Sequence, residues 1–142
     1  MANRFFIILL SHLVSVELYS TNLFDDQNTI PVAGEVFVLS STYDGENIYL
    51  SWEIKDGYYM YLKSIELKNN NELISYDIFD SKIELHKDEF FGETQILKKK
   101  FNIKADLNYI LNLSDVFIYY QGCSESGFCY PLQKNKLFYK IL

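Results

Sequence analysis

The chain has 142 residues, 49% hydrophobic and 23% charged, which suits one domain with a packed core and excludes both wholesale disorder and a second catalytic unit. Thirteen basic residues against nineteen acidic ones give a net charge of −6, and two prolines with six glycines are too few for a fibrous or low-complexity chain. Such an acidic chain is poorly matched to a phosphate backbone, so no nucleic acid partner is expected.

Arg4 stands before a largely apolar run of twelve residues, Phe5 to Val16. A membrane-spanning helix needs about 20 apolar residues, whereas the core of a secretory leader needs about 7 to 15 after a positive start. Residues 1–20 therefore read as a signal peptide, with cleavage near Ser20 or Thr21, although Leu18-Tyr19-Ser20 lacks an Ala-x-Ala pattern. A buried strand or an uncleaved anchor is the competing reading. Residues 21–142 are the mature domain, expected to be exported and soluble. Arg4 and Glu17 leave together, so 12 basic and 18 acidic residues keep the charge at −6.

From Glu35 onward, short β runs alternate with turn signals every 8 to 15 residues or so, the pattern of an all-β sandwich or barrel. Glu35 to Tyr43 leads into the turn Asp44-Gly45-Glu46-Asn47. In the following run Ile48, Leu50, Trp52 and Ile54 share one face, so a hairpin with one buried side is expected. Asp56-Gly57 punctuates it, Tyr58 to Leu67 resumes an extended run, and Asn69-Asn70-Asn71 is a loop. Extended runs are further expected at Glu72 to Phe79, Thr94 to Ile103, Tyr109 to Tyr120 and Lys136 to Ile141. Lys98-Lys99-Lys100 reads as a solvated strand edge, and the sequon Asn112-Leu113-Ser114 as ordinary strand.

Twelve Tyr, eleven Phe and one Trp make the chain rich in aromatics, but the residues able to do chemistry are few. The two cysteines are Cys123 and Cys129. In an oxidising compartment an even count makes a disulfide the default. Closing so short a loop stabilises by only ~2 kcal/mol in the chain-entropy model, which a core this apolar hardly needs. A structural staple and a redox site both remain open on composition. Two thiols without nearby Cys or His do not make a zinc site, and His86, far off in sequence, reads as a surface or strand residue. No Gly-x-Ser-x-Gly elbow, His-Glu-x-x-His helix or phosphate loop occurs. Asp88-Glu89 reads as two solvated charges pointing opposite ways.

The segment Tyr120-Gln121-Gly122-Cys123 through Gly127-Phe128-Cys129-Tyr130-Pro131 resembles the active-site hairpin of the DsbD N-terminal periplasmic domain family. Trp52-Glu53-Ile54-Lys55-Asp56-Gly57-Tyr58-Tyr59-Met60-Tyr61 and Asp88-Glu89-Phe90-Phe91-Gly92-Glu93 resemble the same family in the same order. The resemblance runs from Leu23 to about Leu142. It implies an immunoglobulin-like β-sandwich carrying an inserted antiparallel active-site hairpin subdomain, and a thiol-disulfide oxidoreductase of protein-disulfide reductase type, with no cofactor beyond its redox-active disulfide. It implies that Cys129 forms the mixed disulfide with partners and Cys123 resolves it. By the same resemblance Asp88, Glu89, Phe90, Phe91 and Gly92 form a cap loop, with Phe90 shielding the sulfurs over the aromatic pair Tyr59 and Tyr61.

The implied role is an electron relay in the periplasm. The donor would be a membrane domain acting through the thioredoxin-like C-terminal domain of DsbD, and the acceptors a disulfide isomerase and the cytochrome c maturation thioredoxin. The sequence stops at Leu142, so the membrane link expected for the family would come from a missing or separate transmembrane domain. Thiolate attack needs a sulfur that partners reach and others do not, and a movable aromatic cap serves both needs. Carboxylates beside a cysteine raise its pKa and quieten the free thiol. The alternative from another class is an exported immunoglobulin-like binding module whose disulfide is purely structural.

Overall fold

The computed structural model describes residues 29–89, 91–110, 112–137 and 140–141. The signal-peptide assignment and Phe90 lie outside the described residues. After a four-residue helix, Ala33–Val36, come strands β1 (Phe37–Tyr43), β2 (Asn47–Ile54), β3 (Tyr58–Tyr61), β4 (Glu66–Asn69), β5 (Glu72–Ile74) and β6 (Asp77–Phe79). They are followed by β7 (Ile83–Asp88), β8 (Gly92–Leu97), β9 (Lys100–Asp106), β10 (Val116–Tyr120), β11 (Gly122–Ser124), β12 (Gln133–Lys136) and β13 (Lys140–Ile141).

Three sheets result, ordered β13-β1-β2-β9-β6, β12-β10-β4-β5 and β11-β3-β8-β7. The first two enclose the main core. Along β2, Ile48, Leu50, Trp52 and Ile54 are buried while the alternate residues are not, the period-2 signature of a strand with one face inward. From β9 come Phe101, Ile103 and Ala105, and from the opposing sheet Leu67, Ile74, Val116, Ile118 and Tyr120. Trp52 lies 5.5 Å from Phe101 and meets Tyr120 edge-on at 5.7 Å, so the largest side chain joins both layers. This is an immunoglobulin-like sandwich, the architecture implied by the resemblance.

The β1–β2 turn shows why the hairpin closes where it does. Asp44 Oδ1 accepts the backbone N–H groups of Glu46 at 3.0 Å and Asn47 at 2.7 Å, and Oδ2 accepts the Tyr49 hydroxyl at 3.0 Å. These donors, led by the Asn47 amide, hold the Asp44 carboxyl at about 2. Gly45, at φ +102°, supplies the left-handed step.

Several expected runs are divided in the structure. Tyr58 to Leu67 breaks at a 3₁₀ turn, Leu62–Ser64. There the Ser64 hydroxyl donates to the carbonyls of Tyr61 at 2.7 Å and Gln121 at 3.2 Å, an alternative to ladder pairing. Thr94 to Ile103 divides into β8 and β9, which lie in different sheets and meet at a turn where Lys99 adopts φ +64°. The sequon region is not strand: Leu113–Asp115 form a 3₁₀ turn in which Asn112 Oδ1 accepts the Ser114 N–H. An asparagine bonding its own backbone two residues on favours a turn over a ladder.

The third sheet is the inserted subdomain. It grows directly out of the sandwich, because β3 follows β2 through the turn at Gly57, φ +84°, and β11 follows β10 after Gln121 alone. A second buried cluster of Tyr59, Tyr61, Ile96 and Cys123 forms on one face of this sheet, with Cys129 packed against it. Met60 and Leu97, on the other face, belong to the main core.

Candidate redox site

Cys123 sits on β11 opposite Tyr59 of β3. Cys129 returns beside it to form a disulfide, with Cα atoms 4.0 Å apart. The intervening residues are folded by their own backbone. The Ser124 N–H donates to the Phe128 carbonyl at 2.7 Å, Gly127 N–H to the Ser124 carbonyl at 3.0 Å, and Tyr130 N–H to the Gly122 carbonyl at 3.0 Å. Gly127, at φ +94°, permits the reversal. Gly122 is required for a different reason. A Cβ there would run into the Tyr59 carbonyl oxygen and the ring of Phe37, so only glycine lets β11 lie against β3.

The two sulfurs are unequal. Cys123 is fully buried, and the Tyr61 hydroxyl lies 3.2 Å from its Sγ. Cys129 is only half-buried and lines an open cleft of about 550 Å³ with Tyr59, His86, Glu89, Glu125 and Ser126. An attacking sulfur therefore meets Cys129, and the departing Cys123 sulfur has a hydroxyl ready to donate to it.

Tyr59 and Tyr61 meet edge-on at 5.5 Å, beneath the segment expected to cap the site. Of that segment, Asp88 and Gly92 close the β7–β8 hairpin as paired strand residues, so the segment is the tip of a hairpin, with Gly92 at φ +68°. Phe91 lies edge-on to Tyr61 at 4.8 Å, and Lys63 Nζ stands 3.5 Å from its ring centroid, a cation–π geometry. Glu89 borders the cleft. The structure thus gathers Cys123, Cys129, Tyr59, Tyr61, Glu89 and Phe91 at one end of the sandwich.

Two further residues join the site. Lys98, expected at a solvated strand edge, reaches Glu125 of the disulfide loop at 2.5 Å, and that bond raises the lysine's pKa. Glu125 also donates its N–H to the Gly57 carbonyl at 2.8 Å, tying the loop to the β2–β3 turn. His86 is the second, its ring 5.0 Å from that of Tyr59. Its place two residues ahead of the segment Asp88 to Gly92 was the available signal. No group of three or more His, Cys, Asp or Glu suited to a metal occurs among the described residues.

The model of the DsbD N-terminal domain of thiol:disulfide interchange proteins matches residues 27–140. The chain belongs to the DsbD N-terminal domain family. It is 37% identical over 131 residues to the thiol:disulfide interchange protein DsbD of Haemophilus ducreyi, covering 92% of this chain and 22% of that protein. It is 33% identical over 115 residues to its Pasteurella multocida counterpart, covering 79% and 19%. The chain spans about one fifth of the length of these curated relatives. The reduced DsbD N-terminal domain of Neisseria meningitidis superposes with a TM-score of 0.63 at 25% identity, over 76% of this chain and 87% of that one. A complex between the DsbD N-terminal and PilB N-terminal domains of the same organism gives 0.54 at 22%, over 78% and 87%, a likeness of fold.

Proposed function

We propose that this domain is an exported thiol-disulfide relay that passes two electrons at a time through Cys123 and Cys129. The observation that carries the reading is the asymmetry of the disulfide: one sulfur sealed beside a tyrosine hydroxyl, the other bordering an open cleft. A staple gains nothing from such an arrangement. In a relay, the reduced Cys129 attacks a partner disulfide, a mixed disulfide forms and the partner's second sulfur leaves. Cys123 then attacks Cys129 and releases the reduced partner.

Asp88, Glu89, Phe90, Phe91 and Gly92 serve as the cap over Tyr59 and Tyr61, excluding adventitious thiols until a partner displaces it. The compartment is the periplasm, reached by removal of residues 1–20. The partners are thioredoxin-fold proteins, with a donor of the DsbD C-terminal type and acceptors of the disulfide isomerase and cytochrome c maturation kinds. The solved pairing of a related domain with PilB supports a protein partner of the same general sort.

The experiment is a trap. Cys123→Ser should accumulate a covalent adduct with a thioredoxin-fold partner through Cys129, and Cys129→Ser should form none. A trap appearing only in Cys129→Ser would reverse the two roles. No adduct in either variant, together with a reduction potential below about −300 mV, would return the disulfide to a structural role.

A further inference from the structure

We infer that His86 is the proton acceptor for Cys129 when the reduced domain attacks a partner, an inference that rests on the relay reading above. Thiol-disulfide exchange needs a thiolate, and an unperturbed cysteine, with a pKa of about 8.5, is mostly protonated at neutral pH. An imidazole titrates in the range between, and is the one side chain that both takes and returns a proton there without special perturbation.

The fold delivers an imidazole to this point. In β7, His86 pairs with Thr94 of β8, and Thr94 and Ile96 are the buried residues of that sheet face. The same face carries Tyr61, Tyr59 and Cys123. The His86 ring packs on Tyr59, which bounds its position, and both border the cleft onto which Cys129 opens. Other titratable groups around it are less suited. Lys87 is a cation that cannot accept a proton, and Glu125 is tied to Lys98. Glu84, two residues back along β7, is engaged by Lys82 at 2.9 Å, and that bond lowers its pKa. Tyr59 carries a phenol and Glu89 is exposed at the hairpin tip; as classes, phenols and carboxylates make poorer proton shuttles near neutral pH than imidazole. Asp88, a carboxylate of the same kind, follows two residues on in β7.

The step balances without another reagent. The Cys129 proton passes to the neutral imidazole, and the thiolate attacks one sulfur of the partner's disulfide. That bond breaks as the Cys129–partner bond forms, and the imidazolium returns the proton to the departing partner thiolate.

The test uses the full mature domain carrying Cys123→Ser, so that Cys129 is the only thiol, with and without His86→Gln. Alkylation by iodoacetamide followed from pH 5 to 9 reads the thiolate, and the His86 ring signal followed by NMR reads the imidazole. His86→Gln should slow alkylation about tenfold at pH 7 and abolish the limb of the profile that titrates with histidine, converging with the parent at high pH. In the domain with both cysteines intact, the His86 titration should move between the disulfide and dithiol forms. Superimposable alkylation profiles, or a titration indifferent to redox state, would overturn the inference. Partner trapping by Cys123→Ser is scored separately, so a failed proton role leaves a working relay visible, and a failed relay shows as no trap at all.

Discussion

The hydroxyl of Tyr61 and the missing side chain of Gly122 shape the disulfide in different ways, one through the Cys123 sulfur and the other through the packing of β11 on β3. Tyr61 offers its O–H to Cys123 Sγ, and a hydrogen bond to a developing thiolate is worth more than one to a neutral sulfur. Tyr61→Phe should slow reduction of the disulfide by dithiothreitol about tenfold, the equivalent of ~1.4 kcal/mol, with the fold intact. Stopped-flow fluorescence beside urea unfolding separates the two effects. Gly122→Ala acts on stability, because its methyl meets a backbone carbonyl and the Phe37 ring. Overpacking of this kind typically costs ~1 to 3 kcal/mol, and a shift of the urea midpoint measures it. Phe90→Ala should speed reduction by small thiols with little loss of stability if the cap excludes them, whereas truncating a core phenylalanine costs ~3 to 5 kcal/mol.

At the scale of elements, the β1–β2 turn provides a pH test. The Asp44 carboxyl is held at about 2, below its ordinary 3.8, chiefly by the Asn47 amide. A depressed carboxylate contributes stability above its unfolded pKa, and the contribution disappears as pH falls through the folded value. The stability difference between the parent and Asp44→Ala should therefore be constant at neutral pH, shrink below about pH 4 and vanish near pH 2. Urea midpoints across that range report it.

Strands were legible where burial follows alternation. In β2 the inward residues are Ile48, Leu50, Trp52 and Ile54, as their spacing predicts. In β7 the apolar alternates Ile83 and Leu85 are 41% and 73% exposed, while Glu84 and His86 lie on the redox face; the pattern points the wrong way, and the strand went unpredicted. The cysteine pair and the two tyrosines were legible through a family motif. The Lys98–Glu125 bridge was not, because 27 residues separate its ends and only the approach of the disulfide loop to the β8–β9 turn brings them together.

For the whole molecule, the redox sheet is continuous with the sandwich through β2–β3 and β10–β11, and Met60 and Leu97 anchor it in the main core. The two parts should unfold together. Reduction with dithiothreitol should leave a single cooperative urea transition, lowered by no more than ~2 kcal/mol, since opening so short a loop frees little chain entropy. Two separated transitions would show that the subdomain melts alone. Export makes its own expectation: N-terminal sequencing of periplasmic material should place the mature start between about residues 19 and 23, whereas an intact Met1 form in the membrane fraction would mean a retained anchor.

The lopsided hairpin around the cysteines sets terms for anyone wishing to retune it. Its strand side, Gly122 to Ser124, is buried and wedged against β3, while Glu125, Ser126, Gly127 and Phe128 are open to solvent. A library randomised on the strand side would consist mostly of misfolded protein. Diversity placed at Glu125, Ser126 and Phe128, leaving Gly127 for its left-handed backbone, would sample altered partner choice and reactivity on an unchanged frame. A domain with altered thiol-disulfide reactivity could thus be evolved from three codons.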